Sequence, residues 1–360
     1  MTDTTKNSSK NAARSRRGTN RVTMDDVAAR ARVSASSVSL FLRNPEAVSA
    51  RIAPRIKRAI EVLGYVPNKL AGSLAAARTR AIGVVVPALG NAFFAETVAA
   101  MQSEFDRHGY QLLLGASEYD LEREAELVRA FLSWSPTALV VTGCHHNEAT
   151  HTLLRQANVP VVEMWETGEQ PFDLQVGFSH RAVGEALAAH LHGLGARRIA
   201  FIGARMEKDM RAGQRRDGFC DWFKARGIDA LAINQPVEAS PTAGGAALNA
   251  ALDAMPDLQA VACSNDVMAL GVLFEAQRLG IAVPDRLAVT GFGDLPFSQA
   301  CVPSLTTIEP RASVIGLRIA QELLARLDAE AQGEDAPEPK VVDVAFELMV
   351  RDSSRRGPAD

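Results

Sequence analysis

Between residues 206 and 219 the chain reads MEKDMRAGQRRDGF, which gathers Lys208, Arg211, Arg215 and Arg216 around a helix start that follows the apolar run RIAFIGA. Cations collected where a helix presents unpaired N–H groups form a seat for an anion, so the implied ligand is an acid. Other apolar runs end in polar or aromatic side chains: Asn91, Phe93 and Phe94 after the first, Glu163 and Trp165 after the fourth, and Phe178 further on. Phe93 and Phe94 suit a packed core as well as a ligand face. The triplet Ser264-Asn265-Asp266 offers Asn265 for hydrogen bonds to hydroxyl groups, with Asp266 placed to cap the following helix. Covalent chemistry finds no support, since the sequence has no GxSxG elbow, no P-loop and no GxGxxG after a strand. His145, His146 and His151 run from a strand end into a helix without the spaced cysteines or carboxylates of a metal site, and the four cysteines form no CxxC pair. No metal, no cofactor and no enzymatic activity are expected.

The elements that must position these groups alternate. From Ala81 the runs AIGVVVP, YQLLLGA, TALVVTG and VPVVEMW are separated by helical patterns over 93–108, 121–134 and 148–157. The pattern then restarts, with helices over 181–194, 213–226, 242–255 and 267–279 between RIAFIGA, ALAINQ, AVACSND and RLAVTGF. Such alternation, with β-branched apolar strands, predicts an α/β body of two lobes, each a parallel sheet covered by helices on both faces. A ligand belongs in the cleft at the carboxyl ends of the strands. The acidic stretch AEAQGEDAPEPK is read as a surface loop.

Ahead of this body lies a segment of opposite charge. Residues 1–80 hold sixteen Lys and Arg against five Asp and Glu, a balance of +11, whereas the remainder carries −14. A basic module on an acidic body is the electrostatic footprint of a nucleic-acid binder. Residues 1–21 are polar, basic and aperiodic, and are expected to form a disordered tail. Thr23 can cap a helix over 24–31, and Ser34 a second short helix with Val38, Phe41 and Leu42 facing inward. A third is expected from Ser49 to Leu63, or from nearer Ala53 if Pro54 opens it. Two short capped helices joined by a brief turn predict a helix-turn-helix head. Ala35, Ser36, Ser39 and Leu40 would then face base edges, Arg43 would reach a phosphate or a base, and Thr23, Ser34 and Ser49 would grip phosphates. No apolar run reaches the roughly eighteen residues of a membrane helix, and the polar first twenty residues lack a secretion signal, so a cytoplasmic location is expected.

The runs TMDDVAARARVSASSVSLFLRNPEAVS and LGYVPNKLAGSLAAARTRAIGVVVP resemble the head and hinge of the LacI/GalR family of bacterial transcription factors, and the similarity continues to about residue 350. The resemblance implies a head over 22–66, a hinge helix and linker over 67–80, a periplasmic-binding-protein-like effector and dimerisation body over 81–350, and a tail over 351–360. It implies crossovers between lobes near Phe178 and Thr306, return of the helix Arg311–Leu327 to the first lobe, and a strand over 341–346 in the second. It also implies that Asn68 and Ala71 approach DNA and that Leu74 wedges into the minor groove. A helix of about eight residues is too short to hold itself together in water, so the hinge is expected to order only on DNA. In the body, the R-x-x-G-F pattern assigns ligand binding to Arg215. The chain departs from the family in two places. Ala35, Ser36 and Leu40 stand where larger base-reading side chains are frequent, which leaves Leu40 to touch a thymine methyl and shifts specificity toward Arg43 and groove deformation. GFGD replaces the aspartate that many sugar-binding members carry directly after GF, leaving Gly293 there and the carboxylate at Asp294. Together these features most resemble gluconate-operon repressors and ketogluconate-responsive relatives. The expected function is a repressor acting on double-stranded operator DNA under control of a sugar acid held by Phe93, Phe94, Glu163, Trp165, Phe178, Lys208, Arg211, Arg215, Asn265 and Asp294. The expected assembly is a homodimer, with a tetramer left open, and a response to a neutral sugar or nucleobase is the alternative.

Overall fold

The computed structural model of the chain describes residues 22–65, 79–90, 92–335 and 337–355, apart from the side chain of Arg43. The tail over 1–21, the hinge positions Asn68, Ala71 and Leu74, and Asn91 lie outside the described residues. The chain divides into two units, with the boundary between Ala77 and Arg78.

In the first unit, helices α1 (Met24–Ala31), α2 (Ala35–Arg43) and α3 (Ala53–Leu63) surround Val27, Ala28, Ala31, Val38, Ile56, Ala59 and Tyr65. The hydroxyl of Thr23 accepts the Asp26 N–H while the Asp26 carboxylate accepts the Thr23 N–H, so two otherwise unpaired donors at the start of α1 are satisfied together. These hydrogen bonds hold the Asp26 carboxyl below its ordinary range. Arg32 ends α1 in the left-handed region at φ 53°, and the Ser34 hydroxyl takes the Ser37 N–H to open α2. The third helix begins at Ala53, with Pro54 in the first turn where no N–H is required. Ser49 therefore does not sit at a helix start. Its backbone carbonyl accepts from Ile52 and Ala53 in the preceding turn.

The second unit contains two six-stranded sheets. The first comprises β1 (Ala81–Val86), β2 (Gln111–Ala116), β3 (Ala138–Thr142), β4 (Val161–Met164), β5 (Leu174–Gly177) and β11 (Lys340–Asp343), in the order β11-β5-β4-β3-β1-β2. The second comprises β6 (Ile199–Ala204), β7 (Leu231–Gln235), β8 (Ala260–Cys263), β9 (Ala288–Phe292), β10 (Thr306–Glu309) and β12 (Glu347–Met349), in the order β12-β10-β9-β8-β6-β7. Apart from β12, which runs antiparallel to β10, the pairings are parallel. Continuous burial along β3, β4, β6, β8 and β9 follows from helices on both faces. These are α4 (Ala92–Arg107), α5 (Leu121–Ser133), α6 (Glu148–Arg155), α7 (His180–Gly193), α8 (Met210–Lys224), α9 (Pro241–Ala254), α10 (Asp266–Arg278), the short α11 (Pro296–Ala300) and α12 (Ala312–Ala331). The strand order reverses beside β1 in one lobe and β6 in the other, which puts a crevice at their carboxyl ends.

The chain passes between the lobes three times: after β5 through Phe178, after β10 into α12, and after β11 into β12. The last crossing corrects two expectations. Residues 340–343 pair with β5 in the first lobe, from Lys340 opposite Leu174 to Asp343 opposite Gly177, so the strand expected over 341–346 in the second lobe is replaced there by β12. Residues 351–355, expected to be tail, are woven into the second lobe. The Ser353 hydroxyl donates to the Val289 carbonyl and accepts the Thr306 N–H, and Ser353 and Ser354 are fully buried.

One helix crossing fixes the geometry of the cleft. A Cβ on Gly184 of α7 would collide with the Arg215 carbonyl, and one on Gly218 of α8 with the Arg181 carbonyl. The two backbones therefore touch, which sets α8 and its arginines at a fixed distance from the start of α7.

Candidate ligand cleft and nucleic-acid interface

Phe93, Phe94, Tyr119 and Trp165 from the first lobe, with His180, Asp209, Arg211, Arg215 and Phe292 from the crossover and second lobe, close around a space of about 10 Å³. That is room for about one water molecule. The Asp209 carboxylate caps α8 by accepting the Ala212 N–H, so the helix starts three residues earlier than its apolar pattern suggests and Arg211 lies in its first turn. Arg215, one turn on, is fully enclosed. It donates from Nη1 to His180 Nδ1 at 2.8 Å and from Nη2 to the Ser264 carbonyl at 2.9 Å, and its guanidinium lies 4.1 Å from the centre of the Phe292 ring. Burial, against the opposing pull of Asp209 and with the help of the Arg211 charge, lowers the Arg215 pKa to about 10; it remains a cation at neutral pH.

Burial also drives the His180 pKa well down, helped by Arg215 and Arg211, so the ring is neutral. Its Nε2 lies 2.8 Å from the Trp165 carbonyl, which requires the proton there and leaves Nδ1 free to accept from Arg215. A hydrogen-bonded line thus runs from Trp165 through His180 and Arg215 to Ser264, from one lobe to the other. Beside it, Arg211 sits 5.8 Å from the Phe94 ring and 3.8 Å from the Asp209 carboxylate.

Glu166, immediately after Trp165, reaches across the cleft. Its buried carboxylate accepts from Gln214 of α8 and from the Cys144 N–H at 3.0 Å, and lies 3.4 Å from His145 Nδ1. Burial alone would raise its pKa, but the hydrogen bonds from His145, Gln214 and Cys144, with the charge of Arg211, hold it at about 2. Glu166 is therefore an anion close to the arginines. The carboxylate expected at this strand end is that of Glu163. Strand β4 continues to Met164, so alternation turns Glu163 to the other face, where it accepts from Gln175 at 3.0 Å and from the Phe172 N–H at 3.1 Å. Burial raises its pKa.

The remaining assigned residues divide. Phe93 spans the cleft, with its ring 5.1 Å from Trp165 and 6.1 Å from Phe292, and Phe94 lines it from the core beside Trp165, whereas Phe178 is a core side chain packed among other aromatic rings. Lys208 is exposed in the loop before α8, and Arg216 pairs with Asp217; neither lines the cleft. The roles expected of the Asn265-Asp266 pair are exchanged. Asn265 caps α10 by accepting the Met268 N–H, while buried Asp266 accepts from the Leu295 N–H and the hydroxyls of Ser298 and Thr307. Asp294 turns away to Arg351 at 2.6 Å. Gly293, at φ +130°, directs its Cβ position to within 3.5 Å of the Phe93 ring, so a side chain there would enter the cleft. Sequence reasoning did not single out Tyr119, Glu166, His180, Asp209, Gln214 or Phe292. Only Asp209 and Gln214, inside the cationic segment, carried a usable signal.

In the head, Ser36 and Leu40 are exposed on α2, Leu40 by 39%, and Ser39 is half-buried. Ala35 is also half-buried and packs against the core, so it offers only part of its surface. Thr23 and Ser34 are exposed hydroxyls already engaged as caps, able to present neighbouring N–H groups to phosphates.

A helix-turn-helix head followed by a two-lobed α/β body of this topology defines a DNA-binding regulator with a sensor body. Residues 23–68 match the family described as bacterial regulatory proteins, lacI family, and residues 188–354 match the periplasmic binding protein-like domain. The chain is 35% identical to the HTH-type transcriptional regulator GntR of Pseudomonas aeruginosa, over 94% of this chain and 97% of that protein. A LacI-family transcriptional regulator from Silicibacter pomeroyi superposes with a TM-score of 0.86 at 30% identity, covering 93% of this chain and all of the other. The transcription regulator GntR of Chromobacterium violaceum superposes with a TM-score of 0.71 at 37% identity, over 76% and 99% of the two chains. The chain belongs to the LacI family of bacterial transcriptional regulators.

Proposed function

We propose that this regulator is a cytoplasmic homodimeric repressor whose operator affinity is set by a sugar acid, gluconate or a keto derivative of it, bound between the two lobes. The observation that carries the reading is the pair of cleft arginines, Arg211 and Arg215, facing Phe93 and Trp165 with no side chain at Gly293. A fixed carboxylate at that position would suit neutral sugar hydroxyls and oppose an acid; its absence favours the acid. Arg211 is the group available to the ligand carboxylate, since Arg215 is committed to His180 and Ser264. A space of about 10 Å³ cannot hold a six-carbon acid, so the lobes must open to admit it. Opening supplies the differential binding between two lobe arrangements that a ligand needs in order to alter affinity elsewhere.

On the DNA side, Ser36, Ser39, Leu40 and Arg43 would meet base edges, with Ala35 at their margin. Thr23, Ser34 and Ser49 would lie near phosphates, and Asn68, Ala71 and Leu74 would enter the minor groove. A two-fold palindrome then needs two heads. Replacing Leu74 with Ala is expected to weaken operator binding about tenfold, on the scale of a lost wedge contact, without changing ligand binding. Unchanged operator affinity would remove the hinge assignment.

The decisive experiment is a thermal-shift screen against gluconate, 2-keto- and 5-ketogluconate, the corresponding neutral sugars, and nucleosides. A selective ligand raises the melting temperature by mass action. A shift produced by the acids alone is expected. A shift confined to neutral sugars or nucleosides would replace this reading with the alternative one.

A further inference from the structure

Within residues 22–65 the head carries seven Lys and Arg against four Asp and Glu. Four of the seven, Arg30, Arg32, Arg55 and Arg58, line a single open hollow of about 520 Å³ along the seam between α1 and α3. Its other lining residues are Ala31, Ala59 and the exposed Val62, and none of α2 takes part. Arg55 is held in place: its Nη2 donates to the carbonyls of Ala31 and Arg32 at 2.6 and 3.2 Å, at the carboxyl end of α1, where a cation is favoured. Its remaining N–H groups are left for a second partner. Among the described residues, none of the four arginines is ion-paired with a carboxylate. In the body, by contrast, Arg181, Arg198, Arg205 and Arg351 each meet one. Four like charges around one hollow repel each other, and a polyanion that replaces their counterions relieves the repulsion and releases the small ions.

We propose that this hollow is a second phosphate-binding surface of the head, which takes the backbone of another DNA duplex while α2 is engaged with the operator. The fit is to a row of phosphates, since exposed arginines flank an already positioned one and the floor is small and apolar. Exposed Ser36 and Leu40 of α2 form no part of the hollow, so occupancy of one surface leaves the other available. The function that follows is direct transfer between DNA segments: an incoming duplex docks on the arginines before the first is released.

The proposal rests on α2 carrying the base contacts, and the test separates the two. The full chain is bound to a labelled duplex carrying the palindrome it selects from random sequence. It is then chased with rising concentrations of an unlabelled duplex of unrelated sequence. The wild-type dissociation rate is expected to rise with chase concentration, by roughly threefold or more, as for a reaction through a two-duplex complex. In the Arg30→Gln/Arg58→Gln variant the rate is expected to be independent of the chase, with affinity for the palindrome changed less than about threefold, while Arg30→Lys/Arg58→Lys retains the dependence. A wild-type rate that ignores the chase, or the same dependence in the glutamine variant, overturns the proposal. Loss of palindrome binding in that variant would assign the arginines to the operator contact itself and also overturn it. Failure of the wild-type chain to select any palindrome would instead remove the α2 reading.

Discussion

The wall of the cleft that the first lobe supplies is aromatic and ends in a carboxylate, with Phe93, Trp165 and Glu166, whereas the second lobe supplies Arg211 and Arg215 on a helix seated by two glycines. The cations are built into a backbone-to-backbone contact, while the anion opposite them is held only by hydrogen bonds, one of which crosses to Gln214. One wall is therefore fixed and the other exchangeable. A ligand carboxylate that approaches Arg211 enters a site already partly neutralised by Glu166, so charge on the ligand bears directly on how the two walls meet.

The contrast can be broken most severely at the seat of the fixed wall. Gly218→Val drives a side chain into the Arg181 carbonyl and is expected to cost about 3 kcal/mol, read as a fall of roughly 6–12 °C in melting temperature. Melting at the wild-type temperature would show that the two helices do not need to touch. Arg215→Ala leaves His180 Nδ1 and the Ser264 carbonyl without their donor and should cost about 2–3 kcal/mol, together with loss of the thermal shift by sugar acids. Arg211→Ala should lose the same shift at little cost in stability, and a normal shift in both variants would move the ligand elsewhere. Gly293→Asp places a carboxylate beside Phe93 and is expected to lower acid affinity about tenfold by titration calorimetry, one charge repulsion at an intermediate dielectric. Equal affinity would mean that the ligand carboxylate lies away from that strand end.

The smallest effect concerns the exchangeable wall. Glu166→Gln should raise acid affinity about threefold, because an internal competitor for Arg211 is removed. It should also change the acid limb of the stability curve. The folded pKa of about 2 lies below the ordinary 4.5, so this carboxylate contributes stability that is present above about pH 4.5 and lost as pH falls toward 2. The wild-type chain should therefore lose more stability across that interval than the variant in urea titrations, and parallel curves would show that the cross-cleft bond contributes nothing.

Much of this was legible from periodicity. The capped helices of the head, eight of the strands and the seven helices between Phe93 and Leu279 that accompany them announce themselves through apolar spacing and turn residues. Strand β5 follows β4 with no helix between them and β10 follows only the short α11, so the strand-helix alternation sets neither apart, and β11 belongs to the first lobe because of pairing partners more than 150 residues away. At the cleft, Arg211 and Arg215 stood out because a cationic run at a helix start is unusual. Glu166 did not, since choosing it over Glu163 depends on where β4 stops, and a boundary error of one residue is enough to exchange sheet face and cleft. His180 was hidden for another reason: its role comes from Gly184 and Gly218 drawing two helices together, which no local pattern reveals. Asp294 was misread because its partner, Arg351, lies in a segment taken for a tail.

The three passages between the lobes impose a mechanical rule. Two of them lie alongside each other, since the Val344 N–H donates to the Gly177 carbonyl and the rings of Phe178 and Phe346 stand 5.9 Å apart. Straps that run side by side bend together at small cost in backbone rotation, yet they resist shear and twist, because either would lengthen one strap against its neighbour. These two straps therefore favour a change in the angle between the lobes over a sliding or twisting of one lobe past the other.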